Sequence, residues 1–180
     1  GARLHVDVAE LNPPFSIWIY MPFVLAERAT GIPAERFLSV GMGGFALASL
    51  VLSGRIATAG TRFGRHLLWL APAATFVLLD PFPHEFAQRE HVATIALLPW
   101  IALQATLLEA RRPAAGPAMR LAAGIGAAIF MMTKPPWSAL ALGGIVLYLC
   151  LARRSLRPAL GFETLLAGAI FLAYAAYVLI

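Results

Sequence analysis

The chain has 180 residues, 60% hydrophobic and 13% charged, with a mean hydropathy of +0.77. Average soluble chains carry about a quarter charged residues, so a soluble domain of this size could not bury so much apolar surface in one core. The formal net charge of +5 would suit a nucleic-acid partner, but the basic residues sit at the edges of apolar windows, and membrane topology explains them without one.

In chain order, residues 1–13 form an acidic segment that carries Asp7, Glu10 and Asn12 ahead of Pro13-Pro14. Residues 14–29 read as one juxtamembrane helix. Pro14 suits a helix start, where its missing N–H costs nothing, and Trp18 and Tyr20 suit the headgroup depth. This stretch contains Pro22 and must finish, at Glu27 and Arg28, on the face where it began, so it lies in the interface or re-enters from that face. Six apolar windows follow, at 38–53, 66–80, 92–108, 119–133, 136–152 and 159–180. Their lengths match the need to cross about 30 Å of hydrocarbon at about 1.5 Å per residue. The expected fold is therefore an all-α polytopic membrane protein, a single transmembrane module of a juxtamembrane helix and about six spans. The chain opens on Gly1 without a signal-peptide layout and ends at Ile180 inside an apolar run. It reads as an internal piece of a longer protein, inactive by itself. One cysteine, Cys150, lies in an apolar window, which excludes an intrachain disulfide and a thiolate metal site.

The polar stretches between windows alternate in charge. One set holds Arg55, Arg62, Arg65, Arg111, Arg112, Arg120, Arg153, Arg154 and Arg157 against Glu109 and Glu163. The other holds Arg3, Arg28, Arg36, Arg89 and Lys134 against Asp7, Glu10, Glu27, Glu35, Asp80, Glu85 and Glu90. Cytoplasmic loops carry the Lys/Arg excess, so the first set faces the cytoplasm and the acidic set faces outward.

Four outward clusters could carry chemistry. Asp7, Glu10 and Asn12 read either as a hydrated loop with Asn12 capping the next helix, or as a carboxylate base or metal ligand at the membrane surface. In "LLDPFPHEFAQREH", residues 78–91, Asp80 reads as a cap before Pro81. His84, Glu85, Gln88, Arg89, Glu90 and His91 crowd the mouth of the next helix. Glu90 suits a helix N-terminus, whereas Arg89 and His91 oppose the dipole there. Cations held beside exposed N–H groups make an anion site, with phosphate the natural ligand. Structural pairing is the competing reading, and a divalent metal on the histidines is a third, although the spacing matches no zinc signature. Lys134, the one lysine, precedes Pro135-Pro136-Trp137; it serves either as a snorkelling anchor or as a cation for an outer phosphate. Glu27, Arg28, Glu35 and Arg36 around Gly31 and Pro33 read as a turn with surface pairs and no chemistry.

Four elements, in order, resemble the bacterial membrane glycosyltransferases of the GT-C fold, in the protein-mannosyltransferase and aminoarabinose-transferase superfamily. They are Glu10 to Trp18 ("ELNPPFSIW"), Thr30 to Gly41 ("TGIPAERFLSVG"), Leu79-Asp80-Pro81-Phe82, and Gly124 to Trp137 ("GIGAAIFMMTKPPW"). The chain departs from the family at Pro135, where glycine usually follows the lysine, and in the more polar "QREH" run. The family's principal catalytic aspartate commonly lies further upstream of the proline pair, after a first transmembrane helix absent here. The resemblance implies transfer of a sugar from a polyprenyl-phosphate donor to a lipid, glycan or protein acceptor on the extracytoplasmic face of a bacterial inner membrane. It gives Asp7 and Glu10 the catalytic role and Arg89, Lys134 and His91 the donor phosphate. Asn12, Asp80, Gln88 and Glu90 serve as caps or site support, and the one cofactor the reading leaves open is a divalent metal ion. Two rivals remain. A transporter or flippase for lipid-linked sugars would want polar groups at mid-membrane; Gln104 and Thr106 are the main interior polar residues, and both lie near the cytoplasmic end of their span. A scaffold subunit would use the small-residue faces at Gly41, Gly43 and Gly44, at Gly124 and Gly126, and at Gly143 and Gly144 for helix packing.

Overall fold

A computed structural model describes residues 13–60, 87–109 and 115–179. Asp7, Glu10, Asn12, Asp80 and the predicted span 66–80 lie outside the described residues, as do Arg62, Arg65, His84, Glu85, Arg111 and Arg112. The described chain forms α-helices and, among these residues, no strand. The helices are α1 (Pro14–Trp18), α2 (Met21–Thr30), α3 (Ala34–Gly60), α4 (Arg89–Glu109), α5 (Pro117–Thr133), α6 (Trp137–Arg153) and α7 (Phe162–Leu179).

The single juxtamembrane helix expected over 14–29 is two helices. Pro22 has no N–H to give the Trp18 carbonyl, and its ring would clash there. The first helix therefore ends at Trp18, and Pro22 sits in the first turn of the second. Gly31 then closes α2 in the left-handed region, φ 74°, donating its N–H to the Glu27 carbonyl at 2.7 Å. Glycine adopts that conformation without a Cβ penalty, and Pro33 follows before α3 begins.

Against an expectation of six spans, three of the described helices, α3, α4 and α7, are long and apolar enough to cross a membrane. The 17-residue α5 and α6 are apolar but shorter, rising about 25 Å each.

Helix α4 runs through Pro99 without ending. Proline leaves the carbonyl four residues earlier without its helical donor, and here that carbonyl belongs to Ile95. The Ser49 hydroxyl of α3 donates to the Ile95 carbonyl at 2.6 Å in the buried interface. The neighbouring helix thus supplies the hydrogen bond that the proline removed, and fixes the α3–α4 register in doing so.

Helix α5 is the centre of the bundle. A Cβ on Gly126 would overlap the Ala96 carbonyl of α4, and one on Gly124 would lie 2.9 Å from the Glu163 carbonyl of α7. Two residues along a helix turn about 200°, so these two glycines allow close approach on opposite sides of α5. Gly41 likewise lies against the Phe23 ring of α2. The other small residues named as packing faces, Gly43, Gly44, Gly143 and Gly144, would meet nothing within 4 Å, so they make no such contact.

The bundle has two polar ends. The starts of α3, α4 and α6 and the ends of α5 and α7 share one end, where Lys134 meets Glu90 and Tyr174 meets α1. The opposite end holds Arg120, Glu163 and the α6–α7 connection.

Candidate functional site

At the Lys134 end, α1 and α2 lie beside the start of α4 and leave an open cavity of about 710 Å³ between them. Ile17, Met21, Val24 and Leu25 form its apolar wall. Their spacing is that of one helical face, which runs on across the α1–α2 break. Arg28 continues this face, and Gln88, Arg89 and Glu90 from the start of α4 complete the polar part of the lining.

The polar groups are cross-linked. Glu90 Oε1 accepts from Arg89 Nε and from Lys134 Nζ, both at 3.0 Å. Two cations on one carboxylate leave a positive charge over, and Arg28 adds another. The structure therefore brings together Gln88, Arg89, Glu90 and Lys134 of the expected set.

Arg28, to which the sequence reading assigned no chemistry, belongs with them. The signal that could have found it is the helical spacing from Ile17 through Met21 and Val24 to Arg28.

Tyr20 stands at the break between α1 and α2 and ties this end together. Its hydroxyl donates to the Ala87 carbonyl at 2.8 Å, just before α4. Burial raises the Tyr20 hydroxyl above its ordinary pKa, and the charge on Glu90 pushes it further, with Arg89 opposing. Ala87 has a left-handed backbone, φ 60°. It donates its N–H to His91 Nδ1 at 3.1 Å. His91 is thus bound into the turn that starts α4, a role in helix capping beside the phosphate role expected of it.

On the other side of α1 lies a second cavity, of about 440 Å³, with no polar lining. Phe15 and Trp18 of α1, Met132 of α5, and Ile170, Tyr174 and Tyr177 of α7 line it. Phe15 and Trp18 meet Tyr174 edge-on at 6.0 Å between ring centroids, a favoured aromatic geometry. The Phe15 N–H donates to the Tyr174 hydroxyl at 3.3 Å. These contacts dock α1 on the end of α7, so that its two sides face two cavities.

Of the interior polar candidates near the end of α4, Thr106 donates to the Leu103 carbonyl at 2.7 Å within its own helix. Gln104, 3% exposed, has neither amide atom paired. Among the described residues no three of His, Cys, Asp and Glu come together as a metal cluster would require. Comparison of the chain with family models, curated proteins and solved structures finds no match.

Proposed function

We propose that the chain is a membrane glycosyltransferase of the GT-C type. In this reading the cavity between α1–α2 and α4 receives the phosphate end of a polyprenyl-phosphate sugar donor at the extracytoplasmic face of a bacterial inner membrane. One observation carries this: a continuous apolar helix face, from Ile17 to Leu25, leads to Arg28 and Arg89 in one cavity. An apolar tail with an anionic head needs that combination, and few soluble ligands do. The aromatic cavity on the other side of α1 gives the prenyl chain further apolar surface.

The chemistry divides between two sets of residues. Asp7 or Glu10 takes the proton from the acceptor hydroxyl as its oxygen bonds to the sugar C1. The bond from C1 to the donor phosphate oxygen breaks, and negative charge grows on the departing phosphate. Arg89 and Arg28 stabilise that charge, with Lys134 joining by exchanging Glu90 for the phosphate. Gln88 and Glu90 hold the cations in position, and His91 keeps the turn that presents them. The acceptor is a lipid, glycan or protein hydroxyl, and a divalent ion at the acidic segment is compatible with this scheme.

A transporter or flippase for lipid-linked sugars is the second reading, favoured by the unpaired Gln104 amide in the bundle interior. The clustering of cations at a cavity end weighs towards transfer.

The test is sugar transfer and donor binding in membranes carrying Asp7→Asn, Glu10→Gln, Arg28→Ala, Arg89→Ala or Lys134→Ala. Arg28→Ala and Arg89→Ala each weaken donor binding about tenfold or more, as lost charge-assisted bonds of about 1.5–3 kcal/mol require. Asp7→Asn or Glu10→Gln leaves binding intact and abolishes transfer. Normal transfer in all five variants overturns the reading. Loss of donor translocation across the bilayer in Gln104→Leu, with transfer unaffected, would favour the transporter.

A further inference from the structure

We infer that Glu90 is a built-in competitor of the donor phosphate: its carboxylate occupies the anion subsite that Arg89 and Lys134 form, and a phosphate binds there only by displacing it. The inference rests on the reading of this cavity as the site of a lipid phosphate, and adds how that site lets its product go.

The place held by Glu90 has the donors of an anion subsite. Glu90 stands in the first turn of α4, where backbone N–H groups have no helical acceptor and the dipole favours negative charge. Arg89 comes from the same turn, and Lys134, 44 residues beyond Glu90, from the end of α5. Both reach one oxygen, Oε1, at 3.0 Å. Cations converging on one oxygen at a helix N-terminus are the donors a phosphate takes. Glu90, Arg89 and Arg28 share the cavity lining. The carboxylate therefore sits where the head of a ligand laid along the apolar face of α1 and α2 arrives.

The pairing is built to be given up. The Glu90 side chain is 46% exposed, with Lys134 at 51% and Arg89 at 29%, and exposed pairs hold weakly. The Arg120–Glu163 pair at the opposite end has the other character. There Oε2 accepts from Arg120 Nε and Nη2, and the Glu163 side chain is 1% exposed. Breaking a pair so buried strands a charge away from water. Glu163 fastens α7 to α5, whereas Glu90 keeps two cations in place until a stronger anion takes them.

The competition matters most after transfer. The donor phosphate, esterified on both sides, carries one negative charge. Once its bond to the sugar C1 breaks, the prenyl phosphate carries about two and holds the same cations more tightly. A site that stabilises the departing charge thus tends to keep its product. Glu90, tethered beside Arg89 and Lys134, takes them back as the phosphate moves off. Displacing it costs donor and product the same affinity, but only the product binds tightly enough to stall the site.

The experiment is calorimetric binding of farnesyl phosphate, a short prenyl phosphate monoester, to the protein in detergent, for the wild type, Glu90→Gln and Glu90→Asp. Glu90→Gln, which keeps the shape and removes the charge, binds about fivefold more tightly, the scale of one exposed ion pair released. Glu90→Asp keeps the charge but draws it one methylene back from the two cations, and it too binds more tightly, by a smaller factor. A gain in Glu90→Gln with none in Glu90→Asp means repulsion from a distance and overturns the inference. Equal or weaker binding in both variants makes Glu90 a mere support of the cations; the inference then fails while the donor reading stands. If neither the wild type nor either variant binds farnesyl phosphate, the donor reading falls and takes the inference with it.

Discussion

Glu90 holds Arg89 and Lys134 on a single oxygen, and both ends of the Lys134–Glu90 pair are about half exposed. Exposed ion pairs are worth about 0–1 kcal/mol, so Lys134 can leave Glu90 for a stronger anion at small cost. Tyr20 is the more binding tie, since its hydroxyl joins the α1–α2 break to the turn before α4. Tyr20→Phe lowers thermal stability by about 1 kcal/mol. The pH dependence follows from the raised value. Because the fold favours the protonated phenol, this contribution is fully present below the ordinary value of 10.0 and is lost as pH rises through the higher folded value. Spectrophotometric titration of the wild type against Tyr20→Phe, with melting at each pH, reads that loss; a Tyr20 that ionises at its ordinary value refutes it. At this scale the sequence was half legible. Arg89 and Lys134 stood out because a helix N-terminus does not welcome a cation and because Lys134 is the one lysine. Arg28 did not, since a charged residue next to Glu27 reads as a surface pair until the helix face beneath it is seen.

Among the helices, α4 shows why a proline in an apolar window is ambiguous. Pro99 lies inside the predicted span 92–108, and the carbonyl it strands finds its donor 50 residues earlier in the chain, in the Ser49 hydroxyl. No local pattern connects the two. Ser49→Ala strands the Ile95 carbonyl and costs about 1–3 kcal/mol. Adding Pro99→Ala to Ser49→Ala restores the helical donor and recovers most of that loss. A double-mutant cycle by thermal or denaturant unfolding in detergent checks this, and additive losses would exclude the compensation. The Pro22 break, in contrast, was present in the sequence, and only its consequence was misread: two helices, set end to end, keep one apolar face. The small-residue stripes misled more. Glycine reports that a backbone can approach, but only the partner's position makes Gly126 a crossing point and leaves Gly143 in open space.

For the whole molecule, charge alternation was the strongest signal, because it depends on which end a loop occupies and not on packing. Lys134, Arg89 and Arg28 gather at one end, Arg120, Arg153 and Arg157 at the other. The exposed Trp137 and Leu156, 69% and 68% exposed, lie near these two ends. In a Cys150→Ser background, Trp137→Cys reacts with a membrane-impermeant maleimide added outside intact cells, and Leu156→Cys reacts only after the cells are opened. Labelling of both from one side rules out the crossing. What charge could not reveal is how the helices touch, since that is settled by contacts between distant residues.

Those contacts give α5 a mechanical character. It meets α4 at Gly126 and again through Lys134, and meets α7 at Gly124 and again through Arg120. On the α4 side these two points lie about two turns apart, whereas on the α7 side Arg120 and Gly124, one turn apart, both meet Glu163. Helix α5 is therefore pinned to α7 at one end of the bundle and to α4 from its middle to the other end. Any opening that admits a ligand belongs to the parts α5 does not clamp, α2 hinged at Tyr20 and α6 hung between its two turns.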